Sequence, residues 1–142
     1  MRGKKNNSFF AGRRTMRLRR TRGMSELIVN GHCVRGTVDV DGTPIWSVAD
    51  FVGALYKRED STSVSKIGSV YTQRFRRDGA IQNNVLKEFS ILTRMPGARG
   101  ALTLAMSAQG LSTLITTMRF KKSNVKMAKR AHDAYTALMA LQ

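Results

Sequence analysis

The chain has few acidic residues, and this shortage is its most unusual compositional feature. Its 142 residues contain nine Asp and Glu against 25 Lys and Arg, which gives a formal net charge of +16 at pH 7. A typical soluble protein has a mixed surface that carries both signs of charge. Such an excess of positive charge predicts polyanionic partners.

Cysteine and histidine are also scarce, with one cysteine and two histidines in the whole sequence. A single cysteine, Cys33, excludes an intrachain disulfide and a cysteine cluster for zinc, and it indicates a reducing, intracellular compartment. His32 and Cys33 are neighbours in a predicted strand, where successive side chains point to opposite faces, so they cannot easily form a base and nucleophile pair. We predict that Cys33 is a small buried hydrophobic residue.

Long apolar runs are missing. No stretch approaches the roughly eighteen apolar residues of a membrane span, and even residues 101–118 are interrupted by Ser, Thr and Gln. No apolar run of about seven to fifteen residues follows the basic start, which argues against a secretory signal. An arginine-rich leader without acids resembles a mitochondrial transit peptide, but Gly3, Gly12 and Gly23 weaken an amphipathic helix there. We expect a soluble protein, with mitochondrial targeting as a minor alternative.

The positive charge is distributed unevenly along the chain. Residues 1–23 have nine bases and no acid, whereas residues 24–142 have sixteen bases and nine acids. The first segment has too few apolar residues to offset the entropy of folding. We predict a basic, intrinsically flexible N-terminal arm at residues 1–23 and a single globular domain at residues 24–142. The bases of the arm are Arg2, Lys4, Lys5, Arg13, Arg14, Arg17, Arg19, Arg20 and Arg22.

Beyond the arm, short runs of β-forming residues are separated by dipeptides that favour hairpin turns, because Asn, Asp and Gly tolerate positive φ. The dipeptides are Asn30-Gly31 and Asp41-Gly42. The runs predict a small antiparallel sheet. Within it, Val34, Val38 and Val40 are separated by polar or small residues, which predicts one buried face, and Gly36 could mark a bulge.

A helix signal follows the predicted sheet. Ser47, with Asp50 three residues later, is a capping pattern. It predicts a helix from about Val48 to Lys57. We interpret Asp50 as part of this cap rather than as a catalytic base. One face of the helix is apolar and is predicted to lie on the sheet. That face comprises Val48, Phe51, Val52 and Leu55.

Further helices and strands are predicted downstream. Residues 64–75 predict a second helix, interrupted at Gly68. Residues 80–93 are ambiguous between helix and strand, and their β-branched end makes at least one strand plausible. Residues 101–106 predict a short buried strand, followed by a helix that is capped at Ser107.

The final helix has the strongest pattern in the chain and begins after a cap at Ser123 or Asn124. Its apolar stripe comprises Met127, Ala131, Ala134 or Tyr135, and Leu138. Together these elements predict an α+β fold, in which a small antiparallel sheet packs with three to four helices and carries a basic, extended N-terminal arm.

The order of these segments resembles the Bro-N and KilA-N family of large DNA viruses and phages. In that family a motif of the type W-F-hydrophobic-A-hydrophobic-D-hydrophobic-A-x-x-L opens the first helix, and I-S-E-x-G-L-Y-x-L-I opens a later one. The residues that match the first motif are Trp46, Val48, Ala49, Asp50, Val52 and Leu55. Those that match the second are Met106, Ser107, Gly110, Leu111, Leu114 and Ile115.

The likeness spans about residues 27–138, although Ser112 stands where the family motif has Tyr. The resemblance implies a compact α+β module, usually viral, that is associated with DNA binding and has no catalytic site. It therefore also implies a virion, a host nucleus or a viral factory as the setting.

Nucleic-acid binding explains the composition directly, because each phosphate that a Lys or Arg neutralises releases condensed counterions. The arm suits an extended chain in a groove, and the final helix is the candidate for reading base edges. Duplex DNA is favoured over RNA. Outside the arm, the predicted binding residues are Arg74, Arg76, Arg77, Arg119, Lys121, Lys122, Lys126, Lys129 and Arg130.

A second hypothesis is a structural protein of a virion, such as a minor capsid or core component, or of a ribonucleoprotein. Its basic arm would become ordered against protein or nucleic-acid neighbours. Phe9 and Phe10 are candidate protein anchors, because adjacent aromatic residues have no purpose in a purely electrostatic arm. They could also stack on bases.

Enzymatic chemistry has little support in the sequence, which has few acids and no recognisable catalytic motif. Residues 95–100 lack the spacing and the Gly-Lys-Ser or Gly-Lys-Thr end of a phosphate-binding loop. His132 and Asp133 could form an orienting pair, but an ordinary position on the final helix explains them better. We predict no catalytic residue, no metal ligand and no cofactor.

Overall fold

A computed structural model describes residues 27–56, 64–95, 102–120 and 123–142. These segments contain six β-strands and five α-helices in an α+β arrangement. The strands are β1 (Leu27–Val29), β2 (His32–Val34), β3 (Gly36–Val38), β4 (Pro44–Ser47), β5 (Ile91–Arg94) and β6 (Leu102–Met106). The helices are α1 (Val48–Tyr56), α2 (Val64–Phe75), α3 (Ile81–Phe89), α4 (Ala108–Thr117) and α5 (Val125–Ala140). Within these segments, no helix combines the length and apolarity needed to cross a membrane.

The first predicted hairpin is confirmed. Strands β1 and β2 pair antiparallel, with Val29 opposite His32. The two turn residues, Asn30 and Gly31, have φ angles of 52° and 76°. Positive φ at both central positions is the geometry that matches the right-handed twist of the strands, which is why Asn-Gly favours this turn.

Strand β2 does not continue into β3, because the chain changes sheets at Arg35. Strands β1 and β2 form one sheet, and the second sheet has the order β3-β4-β6-β5. The prediction of one buried face was therefore wrong: Val34 is buried, but Val38 and Val40 are exposed. Because the chain changes sheets at Arg35, the alternation of buried and exposed residues in β3 need not continue that of β2.

Gly36 also differs from its prediction. It does not form a bulge but pairs in regular register with Trp46. A Cβ atom at Gly36 would lie 2.6 Å from Cδ1 of the indole, so the glycine leaves the space that the buried Trp46 side chain fills.

The prediction that Cys33 is buried was wrong. Cys33 lies opposite Ile28 in the hairpin, and both side chains are exposed. The neighbouring cross-strand pair, Leu27 and Val34, is buried. Because successive residues of a strand point to opposite faces, burial of Val34 turns Cys33 outward.

Helix α1 lies at the centre of the hydrophobic core. Its predicted apolar face is confirmed, since Val48, Phe51, Val52 and Leu55 are all buried. Its N-terminus is capped as predicted, with the backbone N–H of Asp50 donating to Oγ of Ser47 over 3.2 Å. The predicted end of the helix, Lys57, lies outside the described residues.

Helix α2 packs so closely on α1 that the two backbones touch. A Cβ atom added to Gly68 would overlap the carbonyl group of Ala49, and one added to Gly53 would overlap the carbonyl group of Val64. The predicted interruption at Gly68 was therefore wrong: α2 is continuous, and its glycine provides close approach to α1 instead of a break.

The remaining elements surround α1. Residues 80–93, whose sequence was ambiguous between helix and strand, form helix α3 followed by strand β5. The predicted caps are confirmed, because Ser107 accepts from the N–H of Gly110 and Asn124 accepts from the N–H of Met127. The apolar stripe of α5 is buried at Met127, Ala134 and Leu138.

Replacing Gly68 with alanine tests the close contact between α1 and α2. In an exposed helix this change stabilises by up to about 1 kcal/mol, because glycine has the larger entropy in the unfolded chain. Here we expect a loss of about 1–3 kcal/mol, which is the usual cost of overpacking. Chemical denaturation measures the change.

The matched control is Ser69→Ala, which alters the neighbouring exposed residue of the same helix. We expect this control to shift the free energy of unfolding by less than about 0.5 kcal/mol. A Gly68→Ala variant as stable as the parent chain would show that α1 and α2 can separate without cost.

Candidate nucleic-acid interface

Three aromatic rings gather where α1, α2 and the segment before α5 meet. Tyr56 is the last residue of α1. It stacks on Tyr71 of α2 with 4.0 Å between ring centroids and 6° between ring planes. Phe120 follows α4, and its ring lies 6.2 Å from that of Tyr56 at a tilt of 49°. The three rings form one cluster, although they are far apart in sequence.

Arginine extends this cluster at one end. Arg74 lies three residues after Tyr71 on α2, so the two side chains occupy neighbouring positions on the helix surface. The Cζ atom of Arg74 is 5.0 Å from the centroid of the Tyr71 ring. This separation allows a cation–π interaction, which positions the guanidinium beside the aromatic rings.

Helix α5 contributes two further cations at adjacent helical positions, Lys126 and Arg130. Nη1 of Arg130 donates to the backbone carbonyl oxygen of Leu55 over 3.2 Å. This bond connects the cationic face of α5 to the C-terminal turn of α1, where the helix dipole places partial negative charge. It therefore holds the α5 cations next to Tyr56.

These groups surround a cavity of about 670 Å³, which we call the aromatic-basic cavity. Its described lining contains four cations and no carboxylate. The lining residues are Tyr56, Tyr71, Arg74, Arg119, Phe120, Asn124, Lys126, Met127 and Arg130. Ligand sites commonly have volumes of about 300–1,000 Å³ and combine aromatic walls with a few polar groups. The cavity can therefore take a ligand that has both an aromatic part and negative charge.

The Tyr56 phenol is half-buried in this cluster. Burial raises the pKa of Tyr56 above its ordinary value of 10.0, the neighbouring Tyr71 raises it further, and Arg74 opposes the shift. Because the charged phenolate is disfavoured there, Tyr56 presents an uncharged ring near neutral pH.

This raised pKa predicts how stability depends on alkaline pH. A group whose pKa is higher in the folded state keeps its full stabilising effect below the unfolded value of about 10 and loses it as the pH rises further. We expect the melting temperature to fall less steeply above pH 10 in Tyr56→Phe than in the parent chain. Tyr135→Phe serves as the control for removing a phenol; an identical pH profile for Tyr56→Phe and the parent would contradict the shift.

A second, smaller opening of about 230 Å³ lies beside Arg35 and is lined largely by hydroxyl and amide side chains. Nε of Arg35 donates to Oδ2 of Asp50 over 2.7 Å, and Nη2 donates to Oδ1 over 3.1 Å. This hydrogen-bonded partner raises the pKa of Arg35, with burial acting in the opposite direction. The Asp50 carboxylate thus binds Arg35, while the Asp50 backbone takes part in the predicted helix cap.

Two hydroxyl groups of this opening already donate hydrogen bonds within α2. Thr72 donates to the carbonyl oxygen of Gly68 over 2.7 Å, and Ser69 donates to that of Ser65 over 3.0 Å. They consequently offer lone pairs more readily than protons. Two arginines line this opening, and one of them, Arg35, is paired with Asp50. Four cations and no carboxylate line the described part of the aromatic-basic cavity, so we favour that cavity as the binding site for an anion.

The structure divides the predicted binding residues of the folded part. Arg74, Arg119, Lys126 and Arg130 come together around the aromatic-basic cavity. Two other predicted bases that are close to Arg74 in sequence do not line this cavity. Arg76 lines the smaller opening, and Arg77 is exposed in the turn after α2.

Lys129 does not line the cavity and pairs with Asp133 over 3.3 Å at the exposed surface. The sequence suggested that Asp133 could orient His132, but its carboxylate pairs with Lys129 instead. Several predicted residues lie outside the described segments: Lys121, Lys122, the nine bases of residues 1–23, and both Phe9 and Phe10.

Sequence reasoning missed the aromatic part of the site. None of Tyr56, Tyr71 and Phe120 was among the predicted binding residues. A local signal existed for Phe120, which stands between Arg119 and Lys121 and so interleaves an aromatic ring with bases. The stacking of Tyr56 on Tyr71 had no such signal, because it depends on how α1 and α2 pack.

Within the described residues, no group of three or more His, Cys, Asp and Glu side chains could hold a metal ion. Comparisons with protein-family models, curated proteins and solved structures find no match to this chain. The relationship to the Bro-N and KilA-N family therefore stays a prediction.

Proposed function

We propose that this protein is a non-enzymatic nucleic-acid-binding protein, with duplex DNA as the favoured partner, and that the rim of the aromatic-basic cavity binds the phosphate backbone. The observation that supports this most is the convergence of four cations around one cavity whose described lining has no carboxylate. Two of them, Lys126 and Arg130, come from α5, and the others come from α2 and the end of the α4 segment.

The physical driving force is the release of counterions from DNA. Each phosphate contact by Lys or Arg liberates part of the condensed cation layer, so affinity falls as salt concentration rises. Backbone contacts of this kind orient a protein on DNA without reading its sequence. In this proposal the nine bases of the arm, residues 1–23, also contact DNA phosphates and so contribute to affinity.

A salt series on a labelled DNA duplex tests the contribution of the cavity. We expect the affinity of the parent chain to fall by orders of magnitude between about 50 and 200 mM salt. Arg74→Ala should weaken binding at every salt concentration and reduce the slope of log Kd against log salt by about 1. Fluorescence anisotropy measures both quantities.

The matched control is Lys87→Ala, which removes an exposed cation from α3, away from the cavity. We expect it to change the slope less than Arg74→Ala does. Equal effects of the two variants would point to diffuse attraction by net charge instead of a defined surface, and an affinity that does not respond to salt would contradict electrostatic binding altogether.

Removing residues 1–23 separates the arm from the folded part. The predicted division into arm and domain implies that the melting temperature of residues 24–142 stays within a few degrees of that of the whole chain, while DNA affinity decreases and the salt slope becomes shallower. Calorimetry and anisotropy measure these two outcomes. A large loss of stability would mean that the arm packs against the domain.

The resemblance to the Bro-N and KilA-N family supports a DNA virus or phage as the setting, and with it a virion, host nucleus or viral factory as the site of action. The viral setting and the site of action are both part of this proposal. The motif positions in question are chiefly core and cap residues, such as Val48, Ser107 and Leu114, so they support the domain type more than the DNA contacts.

A structural component of a virion or ribonucleoprotein is the second candidate. The observation that favours it is an exposed apolar surface on β5 and β6, where Leu92 and Leu102 are 60% and 58% exposed. Exposed apolar residues that cluster in this way often contact another protein. Ordered assembly of the protein together with DNA binding that is insensitive to salt would favour this candidate over the first.

A further inference from the structure

We infer that the aromatic-basic cavity accepts an unpaired nucleobase, which stacks on the ring of Phe120 while the cavity cations contact the adjoining phosphates. The inference rests on the proposed function and sharpens it, because it names locally unpaired sites within duplex DNA as the form that binds most tightly. It depends on the geometry of the three aromatic rings and on the placement of charge around them.

Phe120 has the ring face that a base can use. Tyr71 is engaged by its parallel stack with Tyr56 at 4.0 Å and by Arg74, whose Cζ atom lies 5.0 Å from the ring centroid. Phe120 contacts Tyr56 only by a tilted approach at 6.2 Å, and it is partly exposed in the cavity wall. Phe120 also packs against the core, but among the described residues no parallel ring stacks on it, so its exposed part can offer a surface for stacking.

The cations are placed for the charged part of a nucleotide. Arg119 precedes Phe120 in the chain, and Lys126 lies across the same cavity on α5. A nucleotide joins an aromatic base to a phosphate, so a site that combines a ring with cations satisfies both parts. Because every base has a π-face, such stacking tolerates different sequences.

A paired base cannot satisfy this site. In a duplex both faces of each base are covered by its neighbours, and exposing one costs a few kcal/mol of unstacking and unpairing. Phe120 lies in the wall of a cavity between α2 and α5, so a base must enter the cavity to reach its face. Bases that are already unpaired enter without that cost, and they should therefore bind more tightly than paired ones.

Three DNA probes with the same paired sequence distinguish base stacking from phosphate attraction. The first is a fully paired duplex of about 24 base pairs, the second carries a bulge of three thymidines, and the third carries a bulge of three abasic nucleotides. The two bulges have the same number of phosphates. We expect the thymidine bulge to bind at least about fivefold more tightly than the abasic bulge, which is the smallest effect of stacking one base.

Variants of Phe120 identify the ring. Phe120→Leu keeps apolar volume but removes the flat face, so the affinities for the thymidine and abasic bulges should become equal. Phe120→Trp should retain the preference, since indole also stacks. Phe89→Leu, in a partly buried ring on α3, is the control and should leave the preference intact. Circular dichroism melting verifies that each variant is folded.

The outcomes separate this inference from the proposed function. Equal affinity of the parent chain for both bulges would overturn the base site while leaving salt-dependent DNA binding in place, and so would a thymidine preference that survives in folded Phe120→Leu. Failure to bind any of the three probes would overturn the proposed function and the base site together. A preference that only Phe120→Leu abolishes supports the inference.

Discussion

Contact between the backbones of α1 and α2 is the constraint on which the other features of this protein depend. Gly53 and Gly68 each face a carbonyl group of the opposite helix, and neither position has room for a side chain. The helices therefore lie closer together than side-chain packing alone would allow. This proximity covers one side of α1 while its other side faces the sheet residues and α5, which is why even Ala54 is buried. It also brings the ring of Tyr56 onto that of Tyr71.

A second constraint acts where the chain leaves the first sheet. Arg35 stands between β2 and β3, and its guanidinium and backbone N–H both donate to the carboxylate of Asp50. Asp50 is almost completely buried, so an unpaired charge there would be costly. The Arg35 side chain is 36% exposed, and solvent screening therefore keeps the cost below the roughly 3–5 kcal/mol of a fully buried pair. The backbone carbonyl oxygen of Arg35 also accepts from the N–H of Ser47 over 2.8 Å. The crossover between the sheets is thus attached to the first turn of α1.

Local signals in the sequence predicted much of this fold. The Asn30-Gly31 turn, the caps at Ser47 and Ser107, and the apolar face of α1 all depend on neighbouring residues, and each is confirmed. The failures share a different cause. Cys33 is an exception, since strand alternation beside buried Val34 already places it outward. Exposure of Val38 depends on which sheet its strand joins, and continuity of α2 through Gly68 depends on a partner helix. Such information is absent from the spacing of residues along one segment.

The candidate site follows the same division. Charge composition was sufficient to nominate Arg74, Arg119, Lys126 and Arg130, because a surplus of bases is visible in the sequence. It could not distinguish them from Lys87 or Arg77, which are also exposed bases but do not line the cavity. Nor could it associate Tyr56 with Phe120, since the two rings are far apart in sequence and meet only in the tertiary fold. Charge identifies candidates from the sequence, whereas the tertiary fold decides which of them share a surface.

The position of the single tryptophan has an optical consequence. Trp46 is buried between β3 and the core, and among the described residues its indole Nε1 has no hydrogen-bond partner. The aromatic-basic cavity contains tyrosine and phenylalanine but no tryptophan in its described lining. Indole emission therefore reports the integrity of the sheet and core, and tyrosine emission includes a signal from the cavity, because two of the three tyrosines, Tyr56 and Tyr71, line it. One unlabelled sample can in this way distinguish loss of the fold from occupation of the cavity.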